Sequence, residues 1–147
     1  MFTRSVEILI ARPLDEVFEF VADVRNRPSW DDSVDSEQLT SAEPIGVGST
    51  VRTELRSMGK DYVYTWEIVE HEPPRRMRVE STSGPFPTTL EFQFAGRDGG
   101  TQVNASVTGR PTGFMRVFQP MIARTTQKNL DRGYARLKTL LETGTAA

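Results

Sequence analysis

Polar and apolar residues alternate over residues 3–10, with Val6, Ile8 and Ile10 on one side and Ser5, Glu7 and Leu9 on the other. That period of two predicts a first strand. Past Pro13 the period lengthens. Val17, Phe18, Val21 and Ala22 form a stripe at helical spacing, and Asp15 and Glu16 stand where the positive end of a helix favours acids. Residues 26–32 read as a second, short helical turn with Pro28 near its start.

Alternation returns from 34 to 109. It predicts a weak strand at 34–40 and further strands at 49–58, 60–70, 76–83, 88–95 and 101–109. Turn residues join them: Gly46 and Gly48, Gly59, Pro73-Pro74, Gly84 and Asp98-Gly99. Asp-Gly between two alternating runs is a strong hairpin signal, and consecutive strands on short turns make an antiparallel meander. Beyond Pro111 a helical pattern spans about 113 to 142, carried by Phe114, Phe118, Met121, Ile122 and Thr125 and then by Leu130, Tyr134, Leu137 and Leu141. Pro120 inside it predicts a kink or a break, with a shorter helix ahead of the main one. The order is strand, two short helices, about six antiparallel strands and one long helix. It predicts an α+β domain over 1–143, a curved antiparallel sheet of six to seven strands around the C-terminal helix, with a tail at 144–147.

Composition narrows the function. The 147 residues suit one domain, and 18 Lys and Arg against 20 Asp and Glu leave a net charge of -2, which argues against a nucleic-acid binder with a basic field. There is no Cys and only one His, so disulfides, thiolate nucleophiles and His-rich metal sites are excluded. No apolar run reaches the roughly 18 residues of a membrane span, and Glu7 interrupts the N-terminal apolar stretch, unlike a signal peptide. A cytoplasmic protein is expected, and the excess of Arg over Lys suggests a GC-rich bacterial genome.

Four stretches carry a resemblance: 11–23 (Ala-Arg-Pro-Leu-Asp-Glu-Val-Phe-Glu-Phe-Val-Ala-Asp), Pro28-Ser-Trp-Asp31, 64–77 (Tyr-Thr-Trp-Glu-Ile-Val-Glu-His-Glu-Pro-Pro-Arg-Arg-Met) and 137–142 (Leu-Lys-Thr-Leu-Leu-Glu). In their order and spacing the chain resembles the START-like, Bet v 1-like helix-grip superfamily (SRPBCC), and within it the bacterial polyketide cyclase/dehydrase-like proteins. The resemblance covers nearly the whole chain. It implies a helix-grip fold and a cavity between sheet and helix.

Strand parity then assigns the inner face. Val51, Thr53 and Leu55, then Tyr62, Tyr64, Trp66 and Ile68, then Met77, Val79 and Ser81, then Leu90, Phe92 and Phe94, and Val103, Ala105 and Val107 point toward the helix. The expected ligand-binding residues are Thr53, Leu55, Tyr62, Tyr64, Trp66, Val79, Ser81, Leu90, Phe92 and Phe94 from the sheet. Phe86 joins them from a lid-like loop, and Phe118, Met121, Ile122 and Thr125 from the helix. Phe92, Phe94, Phe118, Leu130 and Leu137 are expected to be buried.

Candidate chemistry is sparse. Parity puts His71 on the outer face at a strand end, in solvent. Asp31 and Asp32 could form a proton-transfer pair, although capping of a turn is the simpler reading, and Trp30 reads as a packing plug. Arg52, Glu54 and Arg56, like Arg76, Arg78 and Glu80, read as ion pairs on a wet face, while Arg110, Arg116 and Arg124 flank the helix entrance. The leading expectation is a carrier of a small hydrophobic or aromatic molecule, lipid- or polyketide-like, with no metal and no cofactor, acting as a monomer or homodimer. A cyclase, aromatase or dehydratase-type enzyme and a regulatory module with a protein partner stay open beside it.

Overall fold

A computed structural model describes residues 1–144, and the alternating run folds in it as a meander. The strands are β1 (Phe2–Ile10), β2 (Val34–Leu39), β3 (Thr50–Ser57), β4 (Lys60–Glu72), β5 (Arg76–Ser83), β6 (Thr88–Arg97) and β7 (Gly100–Gly109). They form one antiparallel sheet in the order β1-β7-β6-β5-β4-β3-β2. Asp98 and Gly99, at φ 52° and 78°, turn β6 into β7. α1 (Leu14–Ala22) and a 3₁₀ segment (Val24–Ser29) follow β1, and a second 3₁₀ segment (Gly113–Phe118) leads into α2 (Gln119–Thr143). This is the helix-grip arrangement, a curled sheet half-enclosing a long C-terminal helix.

Pro120 lies in the first turn of α2, where its missing N–H costs nothing, so it starts the helix rather than breaking it. Gly144 ends it at φ 79°, its N–H reaching the Leu140 carbonyl at 2.7 Å. α2 also covers the free edge of β1. Lys138 Nζ donates to the Leu9 carbonyl at 2.6 Å, and Gln127 Nε2 donates to that of Ser5 at 3.0 Å.

Cross-strand register lines up the inner face in rows: Leu55 with Tyr62, Thr53 with Tyr64, Val51 with Trp66 and Ser81, and Met77 with Phe92 and Ala105. The aromatic side of β4 faces inward, as Tyr64 and Trp66 are buried while Val63 on the other side is exposed. Ion pairs tie the outer face: Arg52 with Glu54, Arg76 with Glu70 and Glu72, and Arg78 with Glu80 and Glu91.

Two expectations need correction. His71 is not on the outer face. The β4–β5 register shifts between Ile68 and Glu70, and this bulge turns His71 inward, opposite Met77, with its ring 5.7 Å from that of Phe18. Phe118 is not buried. It ends the second 3₁₀ segment, where its ring meets that of Phe114 edge-on at 5.3 Å, and it stays 39% exposed. Of the expected tail at 144–147, Gly144 is the helix cap and 145–147 lie outside the described residues.

Candidate functional site

Between α2 and the sheet, walled chiefly by β2 to β6 with Phe2 of β1 and Val107 of β7, lies a cavity of about 180 Å³. Engineered apolar cavities of about 150 Å³ take up benzene, so this space suits a molecule of one or two rings. Of the fifteen residues expected around it, Thr53, Leu55, Tyr62, Tyr64, Trp66, Val79, Phe86, Leu90, Phe92 and Ile122 line it. Met58, Pro85, Phe86 and Met115, all at least partly exposed, bring it to the surface between the β3–β4 turn, the β5–β6 loop and the second 3₁₀ segment.

The other five lie elsewhere, for local reasons. Ser81 uses its hydroxyl to accept the Thr88 backbone N–H at 2.9 Å, which shapes the β5–β6 loop. Phe94 is buried beyond the cavity, its ring 5.1 Å from that of Phe18 under α1. Phe118 and Met121 project to solvent at the start of α2. Thr125 is one residue from the lining position, which Thr126 takes; a single residue turns a side chain about 100° around a helix.

The aromatic wall has its polar atoms satisfied. Tyr64 stacks on Trp66 with centroids 4.7 Å apart, and the Tyr64 and Thr88 hydroxyls share a 3.1 Å hydrogen bond. Burial raises the Tyr64 pKa above its ordinary value. Trp66 Nε1 donates to Thr53 Oγ1 at 3.0 Å. Gly84, at φ 152°, lets the loop pass this close: a Cβ there would meet the Tyr64 ring at 2.4 Å. Phe86 stands edge-on to Tyr64 at 6.4 Å and to Phe2 at 6.2 Å.

The opposite end is polar, and most of it escaped sequence reasoning. Arg27, Asp31, Ser33, Glu37, Asn129 and Tyr134 line it. Asp31 and Asp32 do not act as a pair. Asp31 is buried and accepts Arg27 Nε at 2.9 Å, Ser33 Oγ at 2.6 Å and the Ser33 N–H at 3.1 Å. Asp32 faces water and binds Arg132 and Arg136 of α2. Trp30, 2% exposed, packs T-shaped on Tyr134 at 4.9 Å, and the Arg27 guanidinium lies 5.1 Å from its ring centre. Trp30 is thus the expected plug and a cavity wall as well.

Glu37 faces inward because β2 bulges between Val34 and Ser36, which swaps the parity and sets Glu37 opposite Thr53. Burial pushes the Glu37 carboxyl up to about 7. Asp31 adds to the rise, while Arg27 and a hydrogen bond with Thr53 pull the other way. For Tyr134 burial dominates, and its hydroxyl is held protonated well above the ordinary phenol range. Burial disfavours the Arg27 charge, yet Asp31, Glu37 and Tyr134 together more than restore it. A Val at the start of a weak strand gave no hint of the bulge. The sequence signals for this end were Trp30 and Asp31, and Tyr134 in the apolar stripe of α2; nothing pointed to Arg27 or Glu37.

Among the described residues no group of His, Asp and Glu could hold a metal ion, and no helix is long and apolar enough to cross a membrane.

A family model described as "Polyketide cyclase / dehydrase and lipid transport" matches residues 1–142. Among solved structures, TTHA0849 from Thermus thermophilus is similar, with TM-score 0.83 and 21% identity over 94% of this chain and 95% of that one. A START superfamily protein from Mycobacterium smegmatis aligns with TM-score 0.80 and 14% identity over 97% and 99%. DynU16, of the dynemicin biosynthetic locus, aligns with TM-score 0.69 and 20% identity; 98% of this chain covers 48% of that one. At these identities the structures speak for the fold. No curated protein sequence matches.

Proposed function

Since the chain belongs to the polyketide cyclase/dehydrase and lipid transport family, we propose that it binds a small hydrophobic or aromatic molecule, lipid- or polyketide-like, between sheet and α2. The observation that carries this reading is the cavity itself. Tyr64, Trp66, Phe92, Leu55, Leu90 and Val79 wall an apolar space that opens at one end and is polar at the other. Apolar burial supplies affinity and a few polar groups fix orientation. In this reading the protein works in a bacterial cytoplasm as a monomer or homodimer. Native mass spectrometry of freshly purified protein should show a co-purifying small molecule or an empty protein that takes up aromatic compounds. Both tryptophans line the cavity, so single-tryptophan variants should report the two ends separately, Trp66 the aromatic wall and Trp30 the polar floor. Silence of both tryptophans toward a broad panel of hydrophobic compounds would sink the reading.

One observation favours a second reading, an enzyme of cyclase or dehydratase type. Glu37, near 7, can both take and give a proton at neutral pH. Turnover of a polyketide-like substrate that Glu37→Gln abolishes, with binding retained, would decide for it.

A further inference from the structure

The polar end of the cavity has more hydrogen-bonding capacity than the protein uses. The Tyr134 hydroxyl, on a residue only 1% exposed, meets no hydrogen-bond partner among the described residues. A buried hydroxyl left unpaired is costly unless something else completes it. Arg27 spends its Nε on Asp31 and its face on Trp30, and its two Nη groups make no hydrogen bond within the described residues. Asp31, by contrast, is saturated by Arg27 and Ser33. Trp66 gives its N–H to Thr53, which leaves the Thr53 hydroxyl proton for Glu37. Glu37 itself lines the space.

The charges at this end sum in an unusual way for a site in a mainly apolar pocket. Arg27 is balanced by Asp31, so Glu37 decides the total: one negative charge when it is ionised, none when it is protonated. In neither state does this end carry a net positive charge for an anionic head. We propose that this end is a head-group subsite for a neutral hydroxylated ligand, a phenol or alcohol whose oxygen completes Tyr134 and Glu37 while its rings lie among Tyr64, Trp66 and Phe92, and that it turns away carboxylates of the same shape. The inference rests on the cavity being a ligand site, as proposed above.

The pH dependence follows from what faces Glu37. Arg27 and Asp31 come from the first 3₁₀ segment and its exit, Thr53 from β3, and Asn129 and Tyr134 from α2. Tyr134 stays protonated throughout, and Glu37 titrates at about 7. A ligand carboxylate therefore meets a neutral Glu37 at pH 6 and a charged one at pH 8. A neutral phenol meets no charge–charge term at either pH.

Three probes with one ring system separate these ideas: naphthalene, 2-naphthol and 2-naphthoate, titrated by calorimetry or tryptophan emission at pH 6 and pH 8. For the wild-type protein 2-naphthol should bind about five- to tenfold tighter than naphthalene, the worth of one or two completed hydrogen bonds. 2-Naphthoate should bind more weakly than 2-naphthol, and about tenfold more weakly at pH 8 than at pH 6. Tyr134→Phe should bring 2-naphthol close to naphthalene and leave naphthalene unchanged. Glu37→Gln should abolish the pH dependence of 2-naphthoate binding and strengthen it at pH 8, a gain that a damaged fold does not produce. Equal affinity for naphthalene and 2-naphthol, or tightest binding of 2-naphthoate, would overturn the head-group subsite and leave the cavity reading standing. Failure of all three probes to bind overturns the cavity reading itself.

Discussion

Ile10, Val17, Phe18, Phe94, Val103 and Leu137, at one end of the layer between sheet and α2, are between 0 and 4% exposed and fill it completely. Tyr64, Trp66, Phe92 and Leu90, at the other end, are just as apolar and surround a hole. The difference is in the covering element. α1 lies across β6 and β7 and inserts Val17 and Phe18 between sheet and helix. Over the cavity the cover is two 3₁₀ segments. The first offers only Val24 as a buried residue and then the Arg27–Asp31 pair; the second buries none and leaves Phe114 in solvent. One α-helix supplies a stripe of four buried residues, and a 3₁₀ turn cannot, because its side chains eclipse every third residue and its runs are short. Whether an apolar sheet face becomes core or cavity thus depends on the helix above it more than on its own residues.

The largest expected effects lie in the filled half. Phe94→Ala should lower unfolding stability by about 3–5 kcal/mol and Leu137→Ala by about 2–5 kcal/mol, measured in urea, because each leaves a void that tight neighbours cannot close. Midpoints unmoved by either change would erase the contrast between the halves.

The next effect belongs to the polar floor of the hollow half. Glu37 titrates at about 7 in the folded protein against an ordinary 4.5. The folded state therefore holds more protons than the unfolded chain between these values. Stability is fully present below pH 4.5, falls as pH rises through 7 and is flat beyond, by about 3 kcal/mol at most. Glu37→Gln should flatten that slope and be the more stable form at pH 8. A slope unchanged in the variant would place the titration elsewhere.

Overfilling gives a direct test of the two halves. Val103→Phe should cost about 1–3 kcal/mol, the usual penalty for excess volume in a packed core. Leu55→Phe, facing the cavity, should cost less than about 1 kcal/mol and weaken ligand binding. Equal costs would mean that the cavity closes up in solution.

Tyr134→Phe should be neutral or stabilise the unliganded protein by about 1 kcal/mol or less, since it removes a buried hydroxyl that has no partner among the described residues. Smallest of all, His71→Ala should cost under about 1 kcal/mol, for the edge of the Phe18 contact, and should leave ligand binding unchanged because His71 lies outside the cavity.

Much of this was legible in residue order. Alternation located every strand and the inward side of β3, β5, β6 and β7, since a period of two leaves one choice of face once the apolar set is seen. On β4 both faces carry bulk, and the aromatic row goes inward because Thr65 and Glu67 on the other face suit water better. Misplacements came from single-residue offsets. Bulges at Val34/Ser36 and Ile68/Glu70 reversed the parity of Glu37 and His71, and one step around α2 exchanged Thr125 for Thr126. A bulge is a backbone response to sheet curvature, and nothing in Val34-Asp-Ser-Glu37 announces it.

The amino-acid order by itself determined the antiparallel meander, the long C-terminal helix and an apolar, aromatic inner face, because these depend on periodicity and on local turn chemistry. Only the tertiary structure decided which part of that face is filled and which is hollow. It also brought Arg27, Asp31, Glu37 and Tyr134 together from three separate segments. Their spacing along the chain carries no pattern. What joins them is the curl of the sheet around α2, and their altered proton affinities exist only once that curl has removed the water.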